Sequence, residues 1–217
     1  MKKFTFTITL LACAAFMIAG AAVSAADDKK KTNPSEYMET YVGDAVADAL
    51  ADAMKTEAAL INGGSLGYED LPDRITNKTL SQLVPFATDM VVAVEIKGEY
   101  LLDILEKSVS LLPRRSSSFL QVSGISFTCN PNLKPGYRVI GATVGGKKLD
   151  PEKSYEIATT DFLASGGGGM AAFRKGELMD KEPKPLNEVI LDHIRYNKNE
   201  IGDPAGRIRI MPFIEEN

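Results

Sequence analysis

The chain has 217 residues with one histidine and two cysteines, and its 25 Lys and Arg against 29 Asp and Glu set a formal charge of −4. An acidic chain without a basic face lacks the electrostatic footprint of a nucleic-acid binder. A single histidine leaves too few ligands for a catalytic zinc or a two-metal centre.

Met1-Lys2-Lys3 is a basic start, Phe4 to Ala22 is almost wholly apolar, and "VSAADD" supplies small residues at a cleavage point. This pattern predicts a secretory signal peptide over 1–25, cut after Ala25 or Ala26, and with it an exported protein, periplasmic or secreted. "LLAC" loosely resembles an acylation site, but the apolar run continues past Cys13. No later stretch reaches the roughly 18 apolar residues of a membrane span, so no membrane contact is expected after cleavage. Cleavage removes Lys2 and Lys3 and no acid, moving the charge from −4 to −6. Cys129 is then the sole cysteine, so no internal disulfide can form and the core must hold the fold. A domain of roughly 190 residues buries about 70% of its unfolded surface, which suffices.

Residues 26–34, with "DDKKKTN", read as a flexible leader, and 35–217 as one domain. Pro34 and Ser35 open a helix expected from Glu36 to about Lys55, because Val42, Ala45, Val46, Ala49, Leu50 and Ala53 share one helical face. "AALI" is a short buried strand stopped by the turn residues of "NGG". A loop leads to a helical piece at "TLSQLVPF". "MVVAVEIKG" is β-branched and ends on glycine, so it predicts a strand, and helical spacing returns from Glu99 to Leu112. Strands are then expected at "FLQVSGISFT", "RVIGATV" and "YEIATTDFL", a helix from Leu186 to Tyr196, and a last strand at "GRIRIMPF". Helices and strands mix without strict alternation, which predicts a single α+β or layered α/β domain.

Nothing here assembles a catalytic centre. His193 reads as a partly exposed helical residue and Cys129 as a structural thiol. No G-x-S-x-G marks a serine nucleophile. The glycines Gly166 to Gly169 lack the lysine and hydroxyl of a P-loop, and on spacing alone they read as a flexible turn. The residues call for no metal and no cofactor.

Taken together, "VGDAVADAL", "ALINGG", "QLVPF", "VVAVEIKGEYLLDILE", "FLQVSGISF" and "YEIATTDFLASGGGG" resemble, in order, the C-terminal substrate domain of the 5′-nucleotidase family, from about Tyr41 to Gly169. The resemblance implies a layered α/β/β/α arrangement and a nucleoside held with its base between two phenylalanines, here Phe86 and Phe162. It places the base-contacting asparagine at Asn62 and the substrate loop at Gly166, Gly167 and Gly168. The family's metallophosphoesterase domain has no counterpart in this sequence.

Two departures bear on the ligand. The phosphate-contacting arginine of the family's "NGGGIR" falls on Gly67, and the aspartate of its "GGDG", which holds the ribose hydroxyls, falls on Gly168. Further family arginines lie upstream of the first helix, where "TNPSEYMETY" offers none. Arg114 and Arg115, just before "FLQVSG", are candidate replacements for phosphate contact. Two stacked rings are worth roughly 2–6 kcal/mol, which is millimolar binding or somewhat better. With the arginines gone, a nucleoside is expected to bind as well as its phosphate ester. The leading expectation is thus an exported, non-catalytic domain that clamps a nucleoside-like ligand. The alternatives are a substrate-recognition subunit that docks on a separate metallophosphoesterase chain to form a two-chain hydrolase, or a scaffold with a closed pocket.

Overall fold

The computed structural model describes residues 33–67, 77–86, 88–197 and 204–214, so the expected signal peptide and nearly all of the expected leader lie outside the described residues. The strands are β1 (Ala58–Asn62), β2 (Met90–Lys97), β3 (Leu120–Ser123), β4 (Ile125–Cys129), β5 (Val139–Val144), β6 (Lys147–Lys148), β7 (Ser154–Thr160), β8 (Glu177–Leu178), β9 (Lys184–Pro185) and β10 (Ile208–Ile210). The helices are α1 (Tyr41–Met54), α2 (Asn77–Leu83), α3 (Gly98–Val109), α4 (Asp161–Ala164) and α5 (Leu186–Asn197). Strands form two sheets, one ordered β3-β1-β7-β2-β8 with β9 also on β2, the other β10-β4-β5-β6. The class is α+β, as expected.

Both faces of the first sheet are covered, which is why its strands read as unbroken apolar runs rather than alternating ones. In β1, Ala58 and Leu60 point into a core shared with α3 and the second sheet, including Leu101, Ile104, Phe119 and Phe127. Ala59 and Ile61 point the other way, onto α1 and α5, where Val46, Leu50, Leu186 and Ile190 pack. In β2, Val94 and Ile96 join the first core, whereas Val91 and Ala93 join the second.

The first helix is shorter than its apolar spacing suggests. Residues Pro34–Glu36 form one 3-10 turn, and α1 begins only at Tyr41, where the hydroxyl of Thr40 accepts the Gly43 N–H at 3.0 Å as an N-cap. A distant residue sets this break. Fully buried Gln121 of β3 accepts the Thr40 N–H at 3.0 Å and donates to the carbonyls of Met38 at 2.8 Å and Ser35 at 3.1 Å. Asn33 is also built in, donating to the Gly63 and Leu66 carbonyls. At its other end α1 stops on Lys55 in the left-handed region, φ 53°. The ammonium groups of Lys184 and Lys181 take up the carbonyls of Ala53 and Met54 there.

Two expected strands are corrected. "FLQVSGISFT" is two strands in different sheets, broken at Gly124, φ 68°, where a Cβ would lie 2.1 Å from the Glu57 carbonyl oxygen. "YEIATTDFL" leaves the sheet after Thr160, whose hydroxyl caps α4 through the Leu163 N–H.

The chain's last described strand is fastened to α1 by charge. Glu39 accepts the N–H groups of Arg207 and Ile208, both at 2.8 Å, and Asp44 accepts that of Ala205 at 2.8 Å. The Arg207 guanidinium grips Asp48 with two bonds, 2.9 and 2.8 Å, and stands 3.8 Å from Asp44 Oδ1. That oxygen is buried and has no hydrogen-bond partner. Burial, with Glu39 beside it, outweighs the Ala205 N–H and Arg207 and pushes the Asp44 carboxyl up to about 7.

Candidate functional site

β2 and β7 run antiparallel with Val91 opposite Thr160. Phe86 lies five residues before Val91 and Phe162 two after Thr160, so both phenylalanines leave the sheet at the same end of this ladder. Both are solvent-facing, 54% and 44% exposed, whereas phenylalanine is among the residues most often buried. Phe162 is turned outward because its neighbour Leu163 is the fully buried anchor of α4. Asp161 locks the junction, its Oδ1 accepting the N–H groups of Phe162 at 2.9 Å and Met90 at 3.1 Å.

The glycine run folds beneath the Phe162 ring. A Cβ on Gly167 would sit 2.5 Å from ring carbon Cε2, so only glycine admits this approach. Gly166 (φ 88°, ψ 16°) and Gly168 (φ 62°, ψ 13°) are left-handed, with helical Gly167 between them. Ser118 donates through its hydroxyl to the Gly168 carbonyl at 2.7 Å.

The same serine loop receives Asn62. Its Nδ2 donates to the Ser117 carbonyl at 2.9 Å, its Oδ1 accepts from the Ser65 hydroxyl at 2.8 Å, and Gly63 and Gly64 donate to Phe119 and Ser117. Asn62, Phe162 and Gly166 to Gly168 are therefore joined through Ser117 and Ser118. Asn62 is only 5% exposed, and these two bonds leave one N–H and one lone pair of its amide unused.

The two arginines singled out by sequence differ in their freedom. Arg115 faces Glu36 at 3.8 Å, while Arg114 is exposed on the turn after α3. The fold adds residues that sequence reasoning passed over. Lys107 of α3 and Arg174 reach the glycine run from its two ends, and Asp89, its carboxyl pushed up by burial and then by nearby Asp161, sits between Phe86 and β2. Only tertiary packing sets Lys107 and Arg174 against the same glycine run, so no local motif could have flagged the pair.

A cleft of about 460 Å³ lies elsewhere, between α1 and α5, rimmed by Asp52, Lys55, Lys184, Glu188, Asp192 and His193. His193 Nδ1 stands 3.2 Å from Asp52 there. The cleft is a charged seam lined by side chains of both signs between two helices and contains no aromatic pair, so the exposed rings mark the stronger candidate. Among the described residues, no group of three or more His, Cys, Asp or Glu could hold a metal ion.

Comparison with known proteins gives the family and the fold. A family model described as 5′-nucleotidase, C-terminal domain, matches residues 18–175. An apyrase of Tabanus yao is 30% identical over 148 residues, covering 62% of this chain and 27% of that protein. A trifunctional nucleotide phosphoesterase protein of Bacillus subtilis is 30% identical over 186 residues, 83% of this chain and 12% of that one. The crystal structure of a 5′-nucleotidase precursor from Thermus thermophilus superposes with a TM-score of 0.75 at 26% identity, covering 83% of this chain and 37% of that one. The chain thus spans well under half of each of these three proteins. On this evidence the chain belongs to the family of the 5′-nucleotidase C-terminal domain.

Proposed function

We propose that this chain is an exported domain, residues 35–217 behind a signal peptide and short leader, that holds a nucleoside-like ligand between Phe86 and Phe162. The observation that carries the reading is the exposure of both rings at one end of the β2–β7 ladder, beside a glycine run tied to Asn62 through one serine loop. Family membership supports a nucleotide-related role. The apolar N-terminal pattern supports export, as does the name precursor carried by the Thermus protein. Among the described residues no helix is long and apolar enough to cross a membrane.

Isothermal titration with adenosine tests the clamp. Millimolar or tighter binding is expected for the wild type. Phe162→Ala and Phe86→Ala should each weaken it about tenfold, since one stacked ring is worth about 1–3 kcal/mol. Failure of the wild type to bind at millimolar adenosine, or undiminished binding by both variants, would remove the reading.

One observation favours a second reading. The chain covers only 37% of the Thermus 5′-nucleotidase precursor and 27% of the apyrase. It would then serve as the substrate-recognition half of a hydrolase whose metallophosphoesterase is a separate chain. Co-elution with such a chain, and nucleotide hydrolysis by the mixture alone, would support this.

A further inference from the structure

The acidic composition hides a basic face. From Lys107 to Leu149 the sequence holds seven Lys and Arg and no Asp or Glu, and this stretch supplies β4, β5 and β6 of the second sheet. The fourth strand, β10, adds Arg209, and no acid stands between Pro204 and Ile214. Glu215 and Glu216, which follow, lie outside the described residues. Register sets the cations on the outer face: Arg209 is opposite Thr128, Thr128 opposite Gly141, Ser126 opposite Thr143, and Thr143 opposite Lys148. These residues line a groove of about 440 Å³ with Arg209 on one side and Lys148 on the other. Among the described residues, Lys134, Lys147, Lys148 and Arg209 are exposed and form no ion pair.

One end of the same sheet is apolar. Among the described residues eleven large apolar side chains are exposed, and six of them belong to the loop after β4, the start of β5 and the tail after β10: Leu133, Tyr137, Ile140, Met211, Phe213 and Ile214. Val139 and Ile210 both pair with Cys129, so loop and tail leave the sheet at the same end. Asn132 stitches them together, its Nδ2 donating to the Pro212 carbonyl at 2.9 Å and its Oδ1 accepting the Ile214 N–H at 2.8 Å. Buried Arg138 fixes the base of the loop, its guanidinium donating to the Leu133 carbonyl at 2.9 Å and to those of Val109 and Leu112 at 2.8 Å. A hydrogen-bonded framework thus holds Tyr137, 75% exposed, and Ile214, 69% exposed, in water. Apolar groups gathered this way mark a surface for a partner or a membrane.

We propose that this end of the second sheet docks on an anionic phospholipid surface, its loop and tail side chains entering the acyl boundary while Lys134, Lys148 and Arg209 meet the headgroups. Apolar burial and attraction to anionic lipid add in such binding, and tyrosine favours the headgroup level. Leucine, isoleucine and methionine have no ring to stack on a base, which argues against nucleic acid. Face-to-face pairing with a second copy would set like cations against each other. A protein interface keeps its apolar residues central within a polar rim, whereas here they project from the end of the sheet with the cations behind them. The expectation of no membrane contact counted only spanning segments, and docking on a surface needs none. The proposal is independent of the Phe86–Phe162 slot.

The test is co-sedimentation of the chain without residues 1–25, whose apolar run would bind lipid by itself, with vesicles of phosphatidylcholine alone or mixed equally with phosphatidylglycerol. The mixed vesicles should be bound at least about tenfold more tightly than the neutral ones, and salt should weaken the binding because exposed charges are screened. Lys134→Gln/Lys148→Gln/Arg209→Gln should weaken it about a hundredfold, each cation near an anionic surface being worth about fivefold, with the melting temperature unchanged. The chain has no tryptophan, so Phe213→Trp and Leu178→Trp, the second exposed on β8 of the other sheet, each give a single reporter. On mixed vesicles the emission of Phe213→Trp should shift to the blue and be quenched by brominated lipid, and that of Leu178→Trp should do neither. No binding to mixed vesicles, undiminished binding by the triple variant, or a shift at Leu178→Trp instead of Phe213→Trp would overturn the proposal. Binding with neither reporter shifted, and equal binding to polyphosphate, would overturn it too and assign the face to a soluble polyanion.

Discussion

Gly67→Arg is expected to cost about 3 kcal/mol or more and to lower the melting temperature by roughly 6–12 °C, instead of restoring a phosphate contact. Family resemblance puts an arginine at this position, so the substitution looks like a repair. The backbone forbids it. A Cβ on Gly67 would lie 1.5 Å from the Gln82 carbonyl oxygen, 2.6 Å from its carbon and 3.1 Å from Leu83 Cα, all main-chain atoms that cannot swing aside. The Gly67 N–H also donates to the Leu83 carbonyl at 2.7 Å, and separating the two segments would break that bond. Gly67→Ala should fail nearly as badly, since the clash begins at Cβ. Gly141→Ala is the control: nothing lies within 4 Å of its Cβ position, and its melting temperature should hardly move. Thermal unfolding followed by circular dichroism gives all three values. A Gly67→Arg protein as stable as wild type would show that the close approach of Gly67 to Gln82 is not a feature of the folded chain.

The second large effect is on pH. Asp44 is 4% exposed, with one carboxylate oxygen unbonded and Glu39 beside it, and its carboxyl rises from 3.8 to about 7. The folded state therefore holds this proton more tightly than the unfolded chain. Stability from the protonated group is complete below about pH 3.8 and is lost as pH rises through about 7, by an amount on the order of 4 kcal/mol. Asp44→Asn mimics the protonated form, because the amide oxygen can still accept the Ala205 N–H. It should stabilise the protein by about 2 kcal/mol or more at pH 8.5, change little below pH 4, and flatten the stability profile between. Protection of the Arg207 and Ile208 amides against exchange, relative to their intrinsic rates, should fall above pH 7 in the wild type and not in the variant, because their N–H groups bond Glu39. Equal stability of the two proteins across pH 4 to 8.5 would remove this account of the clasp.

How far the fold was legible depended on how far apart the deciding atoms lie. β1, β2 and α3 were readable because local patterning decided them: β1 and β2 are covered on both faces, and Leu101, Ile104 and Leu105 repeat along one helical face. The break before α1 was hidden because Gln121, some eighty positions away, holds Ser35, Met38 and Thr40. Likewise Gly124 divides two strands because the Glu57 carbonyl crowds it, a contact no local propensity encodes. At the site, Phe86, Phe162 and Asn62 emerged from ordered motifs, and their spacing alone would have left two core residues and a turn. Arg114 and Arg115 drew notice by their place just before "FLQVSG", yet Lys107 and Arg174, 67 positions apart, are the cations the fold places against the glycines.

The most direct measurement is the set of nuclear Overhauser contacts made by adenosine bound to the wild-type chain. Cross-peaks from the purine H2 and H8 protons to the ring protons of both Phe86 and Phe162 are predicted. Contacts to neither ring, or contacts to Ala49, Ala53 and Val189 in the cleft between α1 and α5, would contradict the account.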